Sequence, residues 1–192
     1  SHFKMIADST DLPLIVFQYP MGGGLGHTLE TLVRMAEEIP SVVAIKDWCN
    51  DGMLHERHIR VLQNLSRPIS VLTTHSAWLM SSLMMGCNGL LSGAGSVIAD
   101  LQMDLWRAVQ SGDLVLAQGI NDRIYPMVQA FYAPPFLDMH NRMKEVAVLL
   151  ERLPRAVVRP PLCKLGHREI EVLERAIKEA GIGPLGAGQR AA

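Results

Sequence analysis

VVAIKDW, residues 42–48, carries the fold and the chemistry together. Apolar residues run unbroken from Val42 to Ile45, and then a lysine, Lys46, arrives where the chain must turn. A short, continuous, β-branched run of this kind reads as a strand buried on both faces of a parallel sheet. Lys46 then has two readings. In one, the strand has reached water and the side chain extends into it or pairs with Asp47. In the other, the amine stays desolvated, its pKa falls, and the free base can attack a carbonyl.

Outward from this strand the pattern repeats. LIVFQY (14–19) and ISVLT (69–73) read as strands, and NGLLS (88–92) as a short one. Between them, TLETLVRMAEEI (28–39), LHERHIRVLQNL (54–65) and SAWLMSSLMMG (76–86) have helical spacing. Strands alternating with helices predict repeated βαβ units and a parallel sheet. After Ser96 the rhythm stops. Three successive helices follow, then the proline-rich RAVVRPPLCKLG, a last helix HREIEVLERAIKEAG, and a small-residue tail, PLGAGQRAA, expected to be mobile. Four strands alone would leave two open sheet edges, and a closed (β/α)₈ barrel needs eight strands and about 250 residues. The expected fold is therefore α/β: the second half of a TIM barrel, strands 5–8, followed by C-terminal helices. Residues 1–112 form the barrel half and 113–192 the helical region. The chain starts without Met, inside what reads as the end of a helix, and is expected to begin partway through a larger design.

Composition narrows the function. Hydrophobic residues make up 48% of the 192 residues, enough to fold. Lys plus Arg is 18 against 19 for Asp plus Glu, a net charge of −1. That excludes the basic excess of a nucleic-acid binder and gives no handle for an anionic membrane. No apolar run approaches the roughly 20 residues of a membrane span. Cys49, Cys87 and Cys163 lie far apart without a C-x-x-C, so they read as reduced thiols of a cytoplasmic protein.

The motifs each have a bland alternative. The glycine run of FQYPMGGGLG (17–26) sits between a strand and a helix, where backbone amides can hold a carboxylate or phosphate. It is neither a P-loop nor G-x-G-x-x-G, and a pliable loop explains it as well. SGAGS (92–96) lets a ligand approach the backbone closely, or is simply a crowded turn. HERH (55–58) places two histidines on one helix face, but without a third ligand it gives no metal site, and no cofactor is expected. His75 ends the third strand and reads as a hydrogen-bonded structural histidine.

IVFQYP, then VVAIKDW, then GLLSGAGSV resemble the second half of the dihydrodipicolinate synthase/N-acetylneuraminate lyase family, and RMKEV resembles a lysine-bearing helix of its C-terminal region. The resemblance covers nearly the whole chain. It implies a cytoplasmic barrel that assembles as a homo-oligomer, a dimer or tetramer. It also implies a Schiff-base lysine that handles pyruvate or another 2-keto acid in aldol cleavage, condensation or dehydration. Lys46 matches that lysine.

Three departures stand out. The family's relay tyrosine opens a Tyr-x-x-Pro motif, and here Phe17 holds that position, with Tyr19 two residues on and on the same strand face. The synthases carry an arginine two residues after the proline, and here that residue is Gly22. The Gly-Thr/Ser-x-Gly-Glu loop of the first half is absent from this sequence. The expected site is thus Lys46 as nucleophile and Tyr19 as proton shuttle, with Gly22, Gly23, Gly24, Leu91, Ser92 and Gly93 lining the substrate. The alternatives are a non-catalytic barrel kept as a scaffold or ligand binder, or an inactive truncated fragment.

Overall fold

The structure, a computed structural model, describes residues 2–184. The chain forms two compact units, Ser1–Ser92 and Gly93–Ala192. The first unit holds α1 (His2–Ala7), β1 (Leu14–Gln18), α2 (Leu29–Glu38), β2 (Val42–Asp47), α3 (Gly52–Leu62), β3 (Ser70–Thr73), α4 (Leu79–Met84) and β4 (Gly89–Leu90). All strand pairs are parallel, in the order β1-β2-β3-β4. The sequence rhythm therefore reproduces the sheet.

Local chemistry sets the boundaries. The Thr28 side chain accepts from Thr31 N–H and caps α2, and Asp51 does the same for α3 through Leu54 N–H. The expected helix 76–86 is interrupted: Ser76–Trp78 forms a 3₁₀ turn, and Trp78 leaves the helical region at φ −142°, ψ 43° before α4 begins. Arg67 donates to the carbonyls of Ala36, Ile39 and Val42, tying the C-terminus of α2 to the start of β2. Those carbonyls include the orphan acceptors of a helix end.

The strands are not buried equally on both sides. Val16, Gln18, Ile45, Asp47, Val71 and Thr73 are fully buried on the face that α2, α3 and α4 cover. The other face carries Ile15 (49% exposed), Phe17 (36% exposed) and the half-buried Lys46. Within β2 both sides carry buried residues, since Ala44, on the side of Lys46, is 4% exposed. In this chain Ile15, Phe17 and Lys46 on that side are partly exposed, and among the described residues no helix of the unit packs on it.

The second unit contains α5 (Gly95–Gln110), α6 (Leu114–Phe131), α7 (Met139–Leu149) and α8 (His167–Ala180). Ala117, Ile120, Ile124, Met127 and Phe131 recur at helical spacing on α6 and are buried, and α6 packs against both α5 and α8. Buried Arg142 donates to the carbonyls of Phe131, Ala133, Pro134 and Pro135 and to Glu169, holding the turn between α6 and α7. The helix after β4, α5, packs on α6, so the compact unit begins at Gly93, while the division 1–112 and 113–192 follows the strand–helix rhythm. Apart from Pro184, the tail PLGAGQRAA lies outside the described residues.

Candidate active site

Lys46 sits on β2 in register with Phe17 on β1 and Leu72 on β3. Its Nζ lies 4.2 Å from the centroid of the Phe17 ring. Burial lowers its pKa below the ordinary lysine value, because desolvation penalises the ammonium. The bland alternative, a pair with Asp47, is not formed. Successive strand residues face opposite sides, and Asp47 is engaged on the helix-covered face.

Phe17 packs on Tyr19 with ring centroids 4.4 Å apart, and Tyr19 meets Trp48 edge-on at 5.1 Å. Lys46 therefore stands beside an aromatic wall of Phe17, Tyr19 and Trp48. Among the described residues no hydrogen bond holds the Tyr19 hydroxyl, so it is available as a donor or acceptor.

The glycine loop is built differently from its sequence appearance. Met21–Gly23 forms a 3₁₀ turn, and Gly24 closes it at φ 71°. The amides of Gly23 and Gly24 donate to Pro20 and Met21 carbonyls within the turn. A side chain at Gly22 or Gly23 would meet nothing within 4 Å. Gly26 is the glycine that packing requires, since a Cβ there would lie 2.5 Å from the Tyr19 carbonyl oxygen. The buried Gln18 side chain both donates to His27 O and accepts from His27 N–H, each at 2.9 Å, and so closes the loop. The sequence pattern alone does not single out Gln18 or Gly26. The clue it holds is Gln18 itself, a lone polar residue inside an apolar strand.

Further along, Leu91 N–H donates to Thr73 O at 2.9 Å, and the hydroxyls of Ser92 and Ser76 share a hydrogen bond. Gly93 belongs to the second unit, where a Cβ would meet His140 Nε2 at 3.5 Å and Met143 Sδ at 3.6 Å.

Beneath the sheet lies a polar cluster that the sequence did not assemble. Asp47 Oδ2 accepts from Nδ1 of both His55 and His58, each at 2.8 Å. Asp47 Oδ1 accepts from Cys49 N–H at 2.9 Å. Burial alone would raise the Asp47 pKa, but the hydrogen bonds from both rings and their charge hold it well below the usual carboxylate range. Nε2 of His55 shares a hydrogen bond with the Ser82 hydroxyl at 2.7 Å. His75 Nε2 accepts from Asn50 N–H at 3.2 Å, its Nδ1 meets Thr73 Oγ1 at 3.1 Å, and its ring stacks on Trp78 at 4.1 Å. Burial, reinforced by charge on His55, lowers the His75 pKa to about 4.

Asp47, Cys49 and His75 present donor atoms within 4.8 Å of one another, a possible metal set by type. The chain has already used these atoms. The Cys49 thiol donates to Asp51 O at 3.3 Å, and burial with the Asp47 charge pushes its pKa far up, keeping it a thiol. The His75 lone pair takes a backbone N–H, and both Asp47 oxygens are filled. The cluster reads as a structural clamp on the loop after β2, and HERH supplies its two rings.

Residues 1–180 match the family described as the dihydrodipicolinate synthetase family. The chain belongs to that family. It is 26% identical over 178 residues to 4-hydroxy-tetrahydrodipicolinate synthase of Oceanobacillus iheyensis, covering 93% of this chain and 58% of that protein. It is 28% identical over 181 residues to the enzyme of the same name from Nitrosomonas eutropha, covering 94% and 59%. Among solved structures, dihydrodipicolinate synthase from Thermotoga maritima superposes with a TM-score of 0.82 at 23% identity, covering 94% of this chain and 60% of that one. A prophage protein of the dihydrodipicolinic acid synthase family from E. coli K12, solved in complex with pyruvate, gives 0.83 at 22% identity, covering 94% and 60%. These neighbours show a TIM-barrel-like α/β fold. The chain spans just under three-fifths of the length of the two synthases it matches. No helix among the described residues is long and apolar enough to cross a membrane.

Proposed function

We propose that this chain supplies the lysine-bearing half of a Schiff-base lyase or aldolase acting on pyruvate or another 2-keto acid. The observation that carries the reading is Lys46: an amine with a lowered pKa, at the C-terminal end of a parallel strand, on the sheet face left open. In TIM barrels that end of the strands is where chemistry gathers. On this reading β1 to β4 are strands 5–8 of the barrel, residues 1–112 form the barrel half and 113–192 the helical region. The open face is the barrel interior.

The free amine of Lys46 attacks the keto carbon, and the carbinolamine loses water to give a protonated imine. In aldol cleavage the imine takes the electron pair of the breaking C–C bond and becomes an enamine that is then protonated. In dehydration it takes the pair of an α C–H bond, whose proton passes to a base, and the enamine expels a β-hydroxyl that leaves with its own electron pair as water once protonated. Hydrolysis then returns the amine and a keto acid. Tyr19 is the proton shuttle of this scheme, in place of the hydroxyl that Phe17 lacks. The loop containing Gly22, Gly23 and Gly24, and the backbone of Leu91, Ser92 and Gly93, line the substrate. The chemistry calls for no metal or cofactor. The working protein is a cytoplasmic homo-oligomer, a dimer or tetramer.

Gly22 makes condensation with aspartate semialdehyde the weaker branch, because a distal carboxylate calls for a fixed, bidentate cation. An aromatic wall and an open glycine turn suit a sugar-acid-like or aromatic 2-keto acid. The test is borohydride reduction of the full-length protein with pyruvate, followed by peptide mass mapping. A reduced adduct on the peptide containing Lys46, absent in Lys46→Ala and in Lys46→Arg, supports the reading. An adduct that survives Lys46→Ala, or none in a folded protein, refutes the Schiff base and leaves a non-catalytic barrel.

A further inference from the structure

The second unit contains a cavity of about 670 Å³, within the roughly 300 to 1,000 Å³ of small-molecule sites. It is lined by Ser96 from the first turn of α5, by His140, Met143, Lys144 and Ala147 from α7, and by Arg152 just beyond it. Two of these side chains are permanent cations at neutral pH, one is a histidine, and none is an acid. The two carboxylates adjacent in sequence, Glu145 and Glu151, do not line it.

The Arg152 guanidinium is fixed but not fully used. One terminal nitrogen donates to Val97 O, a carbonyl at the kink where Ile98 leaves the helical region (φ −117°, ψ 35°). Its Nε is buried and has no hydrogen-bond partner. Lys144 Nζ donates to Val157 O at 2.6 Å, which uses one of its three hydrogens.

We infer that this cavity is a binding site for a small oxyanion, the carboxylate or phosphate group of a metabolite, held by Arg152 and Lys144 at the start of α5. The inference does not depend on Lys46. Its test is isothermal titration calorimetry of the full-length protein at low ionic strength, with inorganic phosphate in one arm and succinate in the other. Saturable binding in either arm is expected, and the arm that binds more tightly assigns the anion's chemistry. Lys144→Gln should weaken it about tenfold, the effect of losing one charge-assisted hydrogen bond. The Lys144→Gln/Arg152→Gln double variant should abolish it. Lys144 makes its one hydrogen bond at an exposed position, so the single variant remains informative if loss of Arg152 disturbs folding, which circular dichroism will report. Lys46→Ala should bind as the parent does. No saturable binding in either arm, binding unchanged in Lys144→Gln, or binding lost in Lys46→Ala would each overturn the assignment.

Discussion

Lys46 and Asp47 are neighbours in one strand, yet they belong to two different environments. On the Lys46 side the surface is open and aromatic, and the described contact to the amine is the face of Phe17. On the Asp47 side, Asp47 is bonded to His55 and His58, His55 to Ser82, and Thr73 to His75, all of them buried, with Nε2 of His58 left without a partner. By residue type the second side looks more like an active site. By physical state it is the reverse, because its donors and acceptors are nearly all used and its thiol and carboxylate are driven to their resting forms. Reactivity is left where a group is poorly satisfied.

The largest effects separate the two sides outright. Lys46→Ala should abolish the pyruvate adduct while changing stability by no more than about 1 kcal/mol, as expected for a half-exposed side chain with no hydrogen-bonding role. Asp47→Ala strands the N–H donors of His55, His58 and Cys49 in a buried space. It should cost about 3–5 kcal/mol, the range for breaking a buried, hydrogen-bonded charge cluster. Asp47→Asn should cost less, because an amide can donate to both rings if they change tautomer. Urea unfolding followed by circular dichroism measures all three. A larger loss in Lys46→Ala than in Asp47→Ala would reverse the assignment of chemical and structural sides.

The next effect is a pH dependence confined to the closed side. The His75 pKa is lowered to about 4 in the folded protein, against about 6.5 in an unfolded chain. Its neutral form therefore stabilises the fold fully above pH 6.5, and that contribution is lost as pH falls toward 4. By pH 5 the loss is about 2 kcal/mol. Asp47 has the opposite charge type: its depressed pKa gives stability above about pH 4 that fades only in stronger acid. The fall in unfolding free energy between pH 7.5 and pH 5 should thus be smaller by about 2 kcal/mol in His75→Gln. An identical fall in both proteins would show that His75 is not held neutral by its site.

Much of the open side was legible in the sequence. A strand of period two puts Phe17 and Tyr19 together, and an apolar run that ends in lysine puts Lys46 near the C-terminal end of β2. The closed side was not legible, because its contacts cross between elements. Asp47 meets His55 and His58 from eight and eleven residues away, strand to helix. The spacing of HERH tells which rings share a helix face but not what faces them. Arg67 reaches Ala36 across 31 residues, and no local pattern announces that. In the glycine loop the eye goes to the run Gly22–Gly24, whereas the backbone clash that demands glycine lies at Gly26. The sequence pattern puts the fourth strand at 88–92, and the strand itself is Gly89–Leu90; with so few residues, pairing to β3 rather than propensity defines it.

The smallest effect tests how the open side tunes its amine. Two forces act on Lys46 in opposite directions: desolvation favours the free base, and the Phe17 ring 4.2 Å away favours the ammonium. A cation–π contact of about 0.5–1 kcal/mol at a partly exposed site corresponds to roughly half a pKa unit. Phe17→Leu keeps the apolar volume and removes the ring face, so the pKa should drop further. Below that pKa, the rate of adduct trapping at limiting pyruvate follows the fraction of free amine and should rise about threefold, the value of half a unit. Phe17→Tyr keeps the ring and restores the hydroxyl that the resemblance assigns to this position. It should leave the pH midpoint of trapping unchanged while affecting any step that moves a proton. Trapping rates measured from pH 6 to pH 10 in the three proteins separate these cases. A midpoint that moves upward in Phe17→Leu would mean that the leucine admits water to the amine, and that exclusion of solvent by Phe17, rather than its π face, sets the pKa of Lys46.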